Sequence, residues 1–217
     1  MARNRLSGKQ RTVPGGNVSG GTNLYSTGSL FPTTCTQVPG ESASGFADGS
    51  RHFTAKTDLL GPAYFRVFRW GSFYYAIARA GVFLRSRDGV TPFVQGPRLF
   101  DEDPTLILRH LALYLQANDL WVYYSRIGDR PERILLSRIP LTPDWHKWRA
   151  SSPVTVLQPE TAYEGADVPV EASKPDEAPG RVQQLRDPGL FREGQRTYLL
   201  YSIAGESRIA IAELRPR

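Results

Sequence analysis

The 217-residue chain carries 27 Lys and Arg against 21 Asp and Glu, a net charge of +6, with 40% hydrophobic and 11% aromatic residues. Its one cysteine, Cys35, excludes an internal disulfide and a cysteine-based metal centre. The basic excess is scattered arginine without a Lys/Arg block, and no apolar run reaches membrane-spanning length, so neither a nucleic-acid partner nor a membrane is expected.

In chain order, residues 1–46 come first, rich in Gly, Ser, Thr, Pro and Asn, and read as an irregular or disordered leader. NLYSTGSLF (23–31) and TCTQVP (34–39) are weak strand candidates within it. The N-terminus is basic but no apolar signal core follows, which predicts a cytoplasmic protein. Residues 47–60 read as one outer strand.

Three segments then align without a gap: GPAYFRVFRWGSFYYA (61–76), HLALYLQANDLWVYYS (110–125) and DPGLFREGQRTYLLYS (187–202). Each places an aromatic at its fifth position (Phe65, Tyr114, Phe191) and a tyrosine at its fifteenth (Tyr75, Tyr124, Tyr201). Each reads as strand, polar or Gly-bearing turn, and aromatic-rich strand. A third strand follows at 81–86, 132–137 and 207–212, and a fourth element at 88–100 and 144–159. The last unit ends without an outer strand, which the N-terminal region is placed to supply. GDRPER (128–133) reads as a solvated hairpin with Asp129 near Arg133.

Four-stranded antiparallel units repeating in this way predict an all-β chain, a partial β-propeller with blades at about 61–100, 110–159 and 187–214 within a domain spanning 47–217. One small twisted sheet cannot cover both of its faces, so successive sheets stack around an axis. A repeating β-sandwich is the alternative.

Arg186-Asp187-Pro188 with Phe191, Gly194, Tyr198 and Tyr201-Ser202 resembles the blade openings of five-bladed β-propeller glycosidases, the glycoside hydrolase family 43/32-like superfamily. Ser86, Asp88-Gly89, Phe93, Gly96-Pro97 and Leu99-Phe100 match a second pattern typical of that family. The resemblance covers residues 47–214 and implies five blades around a funnel, of which this chain matches the C-terminal three. It implies hydrolysis of a glycosidic bond by paired carboxylates, a carbohydrate or glycan partner, and no cofactor. The family's base and a supporting aspartate lie on its first two blades, which the chain does not show. A non-catalytic glycan-binding propeller and an inactive truncated fragment are therefore the alternatives.

Glycoside hydrolysis needs two carboxyls flanking the sugar, about 6.5–9.5 Å apart in an inverting site. Blade openings converge on a propeller's axis, which makes Asp187 one candidate and Arg109, His110 and Arg186 substrate-binding candidates beside it. Asp187 reads equally as a cap on the turn before Pro188. Glu164, in the long acidic insert TAYEGADVPVEASKPDEAPG (161–180), is the second catalytic candidate. Tyr163-Glu164-Gly165 resembles the family's acid-bearing step, although the insert comes later than the family's acid-bearing blade; a solvated acidic loop is the other reading. No metal-ligand spacing, phosphate loop, dinucleotide fingerprint or nucleophile elbow occurs. Of the four tryptophans, Trp121 reads as core, and Trp145 and Trp148 as seals between blades.

Overall fold

The computed structural model describes residues 53–100, 107–178 and 180–216 together with strands at 14–15, 33–38 and 41–47; side chains are described for 58–100, 107–178 and 180–215. Strand β1 is Pro14–Gly15. Strands β2 (Thr33–Val38), β3 (Glu41–Ala47) and β4 (Phe53–Pro62) form a three-stranded sheet in that order. Strands β5 (Arg66–Trp70), β6 (Phe73–Ile77), β7 (Phe83–Ser86) and β8 (Val94–Gln95) make the first four-stranded antiparallel blade. Strands β9 (Ile107–Gln116), β10 (Asp119–Ile127), β11 (Ile134–Pro140) and β12 (Val154–Leu157) make the second. Strands β13 (Arg186–Glu193), β14 (Arg196–Ile203) and β15 (Arg208–Pro216) form the third, with β1 as its fourth strand, parallel to β15 with Pro14 opposite Arg215. Helical geometry among the described residues is confined to short 3-10 turns at Arg79–Gly81, Trp145–Lys147 and Ala162–Glu164.

The first strands of consecutive blades are neighbours, β5 beside β9 and β9 beside β13. The Arg66 Nε donates to the Leu111 carbonyl across the first of these seams at 3.2 Å. Sheets ranged side by side through their first strands, with apolar cores between their faces, are the blades of a β-propeller.

Strand β10 shows why the sheets stack. Leu120, Val122 and Tyr124 point into a core shared with the first blade, among Phe68, Tyr75, Phe83, Trp145 and Trp148. Trp121 and Tyr123, the alternate residues, join a core shared with the third blade, among Leu185, Leu199, Tyr201 and Ile203. A strand whose side chains are buried on both faces loses the alternation of apolar and polar residues. A third core sets Leu60 of β4 against Phe65, Ala76, Leu84 and Phe93 of the first blade. Trp121, Trp145 and Trp148 are all buried in these seams.

The motif residues of the first blade are turn and packing devices. The Asp88 Oδ1 accepts hydrogen bonds from the backbone N–H of Val90 and of Thr91, both at 3.0 Å, and from the Ser86 hydroxyl at 3.1 Å. Gly89 follows at φ 74°, where a Cβ would lie 2.9 Å from the Tyr74 ring.

Two boundaries differ from the sequence reading. Strands β2 and β3 lie within or across the end of the 1–46 leader, because β3 pairs with β4 from Glu41–Pro62 to Ala47–Phe53, a non-local ladder that local composition does not encode. The 34–39 candidate falls on β2, and the 23–31 candidate lies outside the described residues. Strand β4 runs through Gly61 to Pro62, so the first blade's inner strand begins at Arg66, after Tyr64 turns the chain at φ 60°.

Candidate functional site

Strand β13 opens with a register irregularity between Arg186 and Gly189, and Asp187 sits in it at φ 50°. A bulge of this kind re-aims a side chain, and aspartate tolerates the left-handed region better than most residues. The Asp187 Oδ1 meets Nδ1 of His110, which projects from β9 of the preceding blade. The Asp187 Oδ2 accepts from the Ser202 hydroxyl at 3.1 Å. Tyr64 lies edge-on to the His110 ring, with centroids 4.2 Å apart. Groups from three successive blade openings thus meet at one place.

They line a cleft of about 440 Å³ together with Arg79, Arg109, Asp176, Glu177 and Glu206. The Asp187 and His110 side chains are 29% and 23% exposed, so both are reachable from solvent. Burial pushes the Asp187 carboxyl up, but the hydrogen bond and charge of His110, the Ser202 hydroxyl and the charge of Arg109 together hold it below the ordinary carboxylate range. Asp187 is therefore an ionised carboxylate at neutral pH, suited to accepting hydrogen bonds or stabilising positive charge.

Behind the cleft lies a buried ion network. The Arg109 guanidinium grips Glu132 with two hydrogen bonds, Nε to Oε1 at 2.9 Å and Nη2 to Oε2 at 3.2 Å. Arg186 reaches the same carboxylate at 3.2 Å and pairs with Glu206 at 2.7 Å. Glu132 is wholly buried, so two arginines from adjacent blades share one solvent-free carboxylate. Both arginines also hold the acidic insert by its backbone. The Pro175 carbonyl accepts from Arg109 at 2.7 Å, the Lys174 carbonyl accepts from Arg109 as well, and the Asp176 carbonyl accepts from Arg186 at 3.2 Å. The insert's Ser173 is tied to the β10–β11 loop, donating its N–H to the Asp129 carbonyl at 3.1 Å. These bonds set Asp176 and Glu177 in the cleft wall.

Of the residues singled out from sequence, Arg109, His110 and Asp187 come together at the cleft. Arg186 does not line it: the side chain is 1% exposed and anchors Glu132, Glu206 and Gln184 beneath. Glu164 is not among the lining residues either. Its Oε2 accepts from the N–H of Glu160 at 3.0 Å and of Thr161 at 3.1 Å, and from the Thr161 hydroxyl at 2.9 Å. Tyr201 donates to the other oxygen at 3.3 Å. Glu164 thus organises the turn from within the insert. Gly165 follows it at φ 90°, where a Cβ would come within 2.3 Å of the Val182 carbonyl, so the Glu-Gly step has a steric reason. Asp167 nearby is exposed and paired with Arg181.

The 128–133 segment is not a solvated hairpin: Asp129 and Glu132 are buried, and Asp129 pairs with Arg126 at 2.9 Å and with Arg133 at 4.0 Å. Sequence reasoning missed Tyr64, Arg79, Glu132, Asp176, Glu177 and Glu206. The aromatic after Gly61-Pro62-Ala63 was the available signal for Tyr64. The long acidic insert marked the stretch that holds Asp176 and Glu177 but not those two residues, and no signal marked Arg79, Glu132 or Glu206, which reach the cleft or its floor through tertiary placement. Among the described residues, no group of three or more potential ligands could hold a metal ion.

No protein-family model matches the sequence. An uncharacterized protein of Acanthamoeba polyphaga mimivirus is 40% identical over 179 residues, a match covering 77% of this chain and 50% of that protein. The chain thus spans about half the length of the curated relative it matches. Among solved structures, an endo-1,4-beta-xylanase from Bacteroides thetaiotaomicron is similar at TM-score 0.49 and 13% identity, over 79% of this chain and 58% of that one. A Bombyx mori GH32 beta-fructofuranosidase matches at TM-score 0.45 and 16% identity, over 84% of this chain and 37% of that one. A Cellvibrio cellulosa alpha-L-arabinanase matches at TM-score 0.42 and 16% identity, over 70% of this chain and 69% of that one.

Proposed function

We propose that this chain is a carbohydrate-binding propeller of the five-bladed glycosidase type and that its axial cleft receives a sugar ring. The observation that carries the reading is the make-up of the cleft wall. An exposed aromatic, Tyr64, stands beside His110, the ionised Asp187 and the exposed Arg79. A sugar presents a C–H face and a rim of hydroxyls. An aromatic side chain packs against the first, and carboxylate, imidazole and guanidinium groups bind the second. The glycosidase-like motifs in the first and third blades support the same reading.

Hydrolysis of a glycosidic bond is the second reading, favoured by the four carboxyl residues in one cleft lining: Asp176, Glu177, Asp187 and Glu206. Asp187, held ionised, suits the base or charge-stabilising role, and the acid would come from the other three. Glu164 takes no part in this reading, because its carboxylate is committed to the backbone of its own turn.

Xylose, arabinose and fructose titrated into the full chain, followed by amide NMR, test the binding. The expected result is saturable shifts around Tyr64 and His110, weakened about tenfold by Tyr64→Ala and retained in Glu164→Gln. The absence of shifts with all three sugars would overturn the reading. Release of para-nitrophenol from the matching aryl glycosides, abolished by Asp187→Asn, would establish hydrolysis as well.

A further inference from the structure

We infer that His110, rather than Asp187, is the group that meets the ligand: its Nε2 accepts a hydrogen bond from a sugar hydroxyl, and Asp187 is a positioning residue that fixes the tautomer and the ring. The inference rests on the reading of the cleft as a carbohydrate site and names the residue through which that site works.

Both Asp187 oxygens are engaged within the protein, Oδ1 by His110 Nδ1 and Oδ2 by the Ser202 hydroxyl. An ionised carboxylate on Nδ1 places a proton there, which leaves Nε2 as the acceptor of the singly protonated ring. Among the described residues Nε2 has no hydrogen-bond partner, and the ring lines the cleft.

The backbone makes a second, independent argument. The described non-glycine residues at positive φ are Tyr64, Ala80, Ala117, Asp187 and Ala204. Two of these, Tyr64 and Asp187, touch the His110 ring itself. Two more are sequence neighbours of lining residues, Ala80 next to Arg79 and Ala204 two residues before Glu206. Only Ala117 lies elsewhere, in the β9–β10 turn. Each such residue is strained, and the surrounding fold must over-determine it. A chain that holds an aromatic and a carboxylate in unfavourable backbone conformations against one imidazole is pre-organising that imidazole.

The charged groups facing His110 come from every element around it. They are Arg79 from the first blade, Arg109 from its own strand, Asp176 and Glu177 from the insert, Asp187 from β13 and Glu206 from the β14–β15 turn. Arg109 pairs with Glu132, and Glu206 pairs with Arg186. Of the closest contacts, Asp187 alone sets the imidazole's proton position.

Long-range ¹H–¹⁵N spectra of the full chain, labelled at histidine, report the tautomer directly. The expected result at neutral pH is Nδ1–H for His110, with a mixed tautomer in Asp187→Asn. Sugar titration of His110→Gln and His110→Phe should then weaken binding by about tenfold or more, with fold retained by circular dichroism. An Nε2–H tautomer in the wild-type chain would overturn the inference whatever the sugar result. An Nδ1–H tautomer with sugar affinity unchanged in both His110 variants would overturn it too, while leaving the cleft as the sugar site. If no sugar perturbs Tyr64 or His110, the carbohydrate reading falls and takes the inference with it.

Discussion

Asp88 and Asp187 are both aspartates in irregular backbone, yet their surroundings give them different work. Asp88 is a turn device: the backbone N–H of Val90 is the main cause holding its carboxyl at about 2, against burial, the next largest influence, and with help from Thr91 and Ser86. Asp187 is also depressed, with burial opposing and His110 as the main cause of the lowering. A carboxyl whose value is lowered in the folded state adds stability while ionised, above the ordinary aspartate value of 3.8, and that stability drains away as pH falls toward the folded value. The melting temperature is therefore expected to drop between pH 4 and pH 2. Asp88→Asn should flatten part of that drop, by a few degrees. A thermal scan that shows the same acid limb in both proteins would contradict the assignment.

At this scale the sequence was legible where the repeat carried information. His110 and Asp187 hold the same position in two aligned units, and the fold brings equal positions of neighbouring blades to one axis. Glu164 lies away from the cleft lining for a reason the sequence does not carry. A glutamate before glycine in a long loop has the same local signature whether its carboxylate faces solvent, a substrate or the loop's own N–H groups.

At the scale of the element, tight packing explains glycines that read as turn punctuation. Gly96 ends the short strand β8, and a Cβ there would lie 2.5 Å from the Trp145 ring and 2.9 Å from Phe83. Both rings belong to the core between the first and second blades. Gly96→Ala is expected to destabilise the chain by about 1–3 kcal/mol through overpacking, measured by urea unfolding. An unchanged midpoint would show that the seam yields at no cost. The strand-turn-strand units were readable because aromatic and β-branched runs alternate with Gly and Asn turns. The start of β5 was not, since Tyr64 breaks the first unit with a conformation that residue type does not announce.

For the whole molecule, cooperativity runs through the seams between sheets. Trp148 is 1% exposed and touches Phe68, Tyr75 and Phe83 of the first blade from its place after β11. Trp148→Ala should cost about 3–5 kcal/mol and loosen the first and second blades together, seen as lost hydrogen-exchange protection in both β6 and β10. Loss confined to the second blade would mean that the blades unfold independently. The four-stranded units of the propeller were legible in the sequence from the repeat, which left a repeating β-sandwich as the alternative. The three-stranded sheet of β2, β3 and β4 was not, because it rests on pairings between segments whose composition resembles linker.

Arg109 and Arg186 grasp the insert through the carbonyls of Lys174, Pro175 and Asp176, groups that every amino acid possesses. The anchorage is blind to which side chains the insert displays. Residues 176 and 177 are thereby interchangeable fittings on a fixed bracket, and the cleft wall can be refaced there without renegotiating the scaffold.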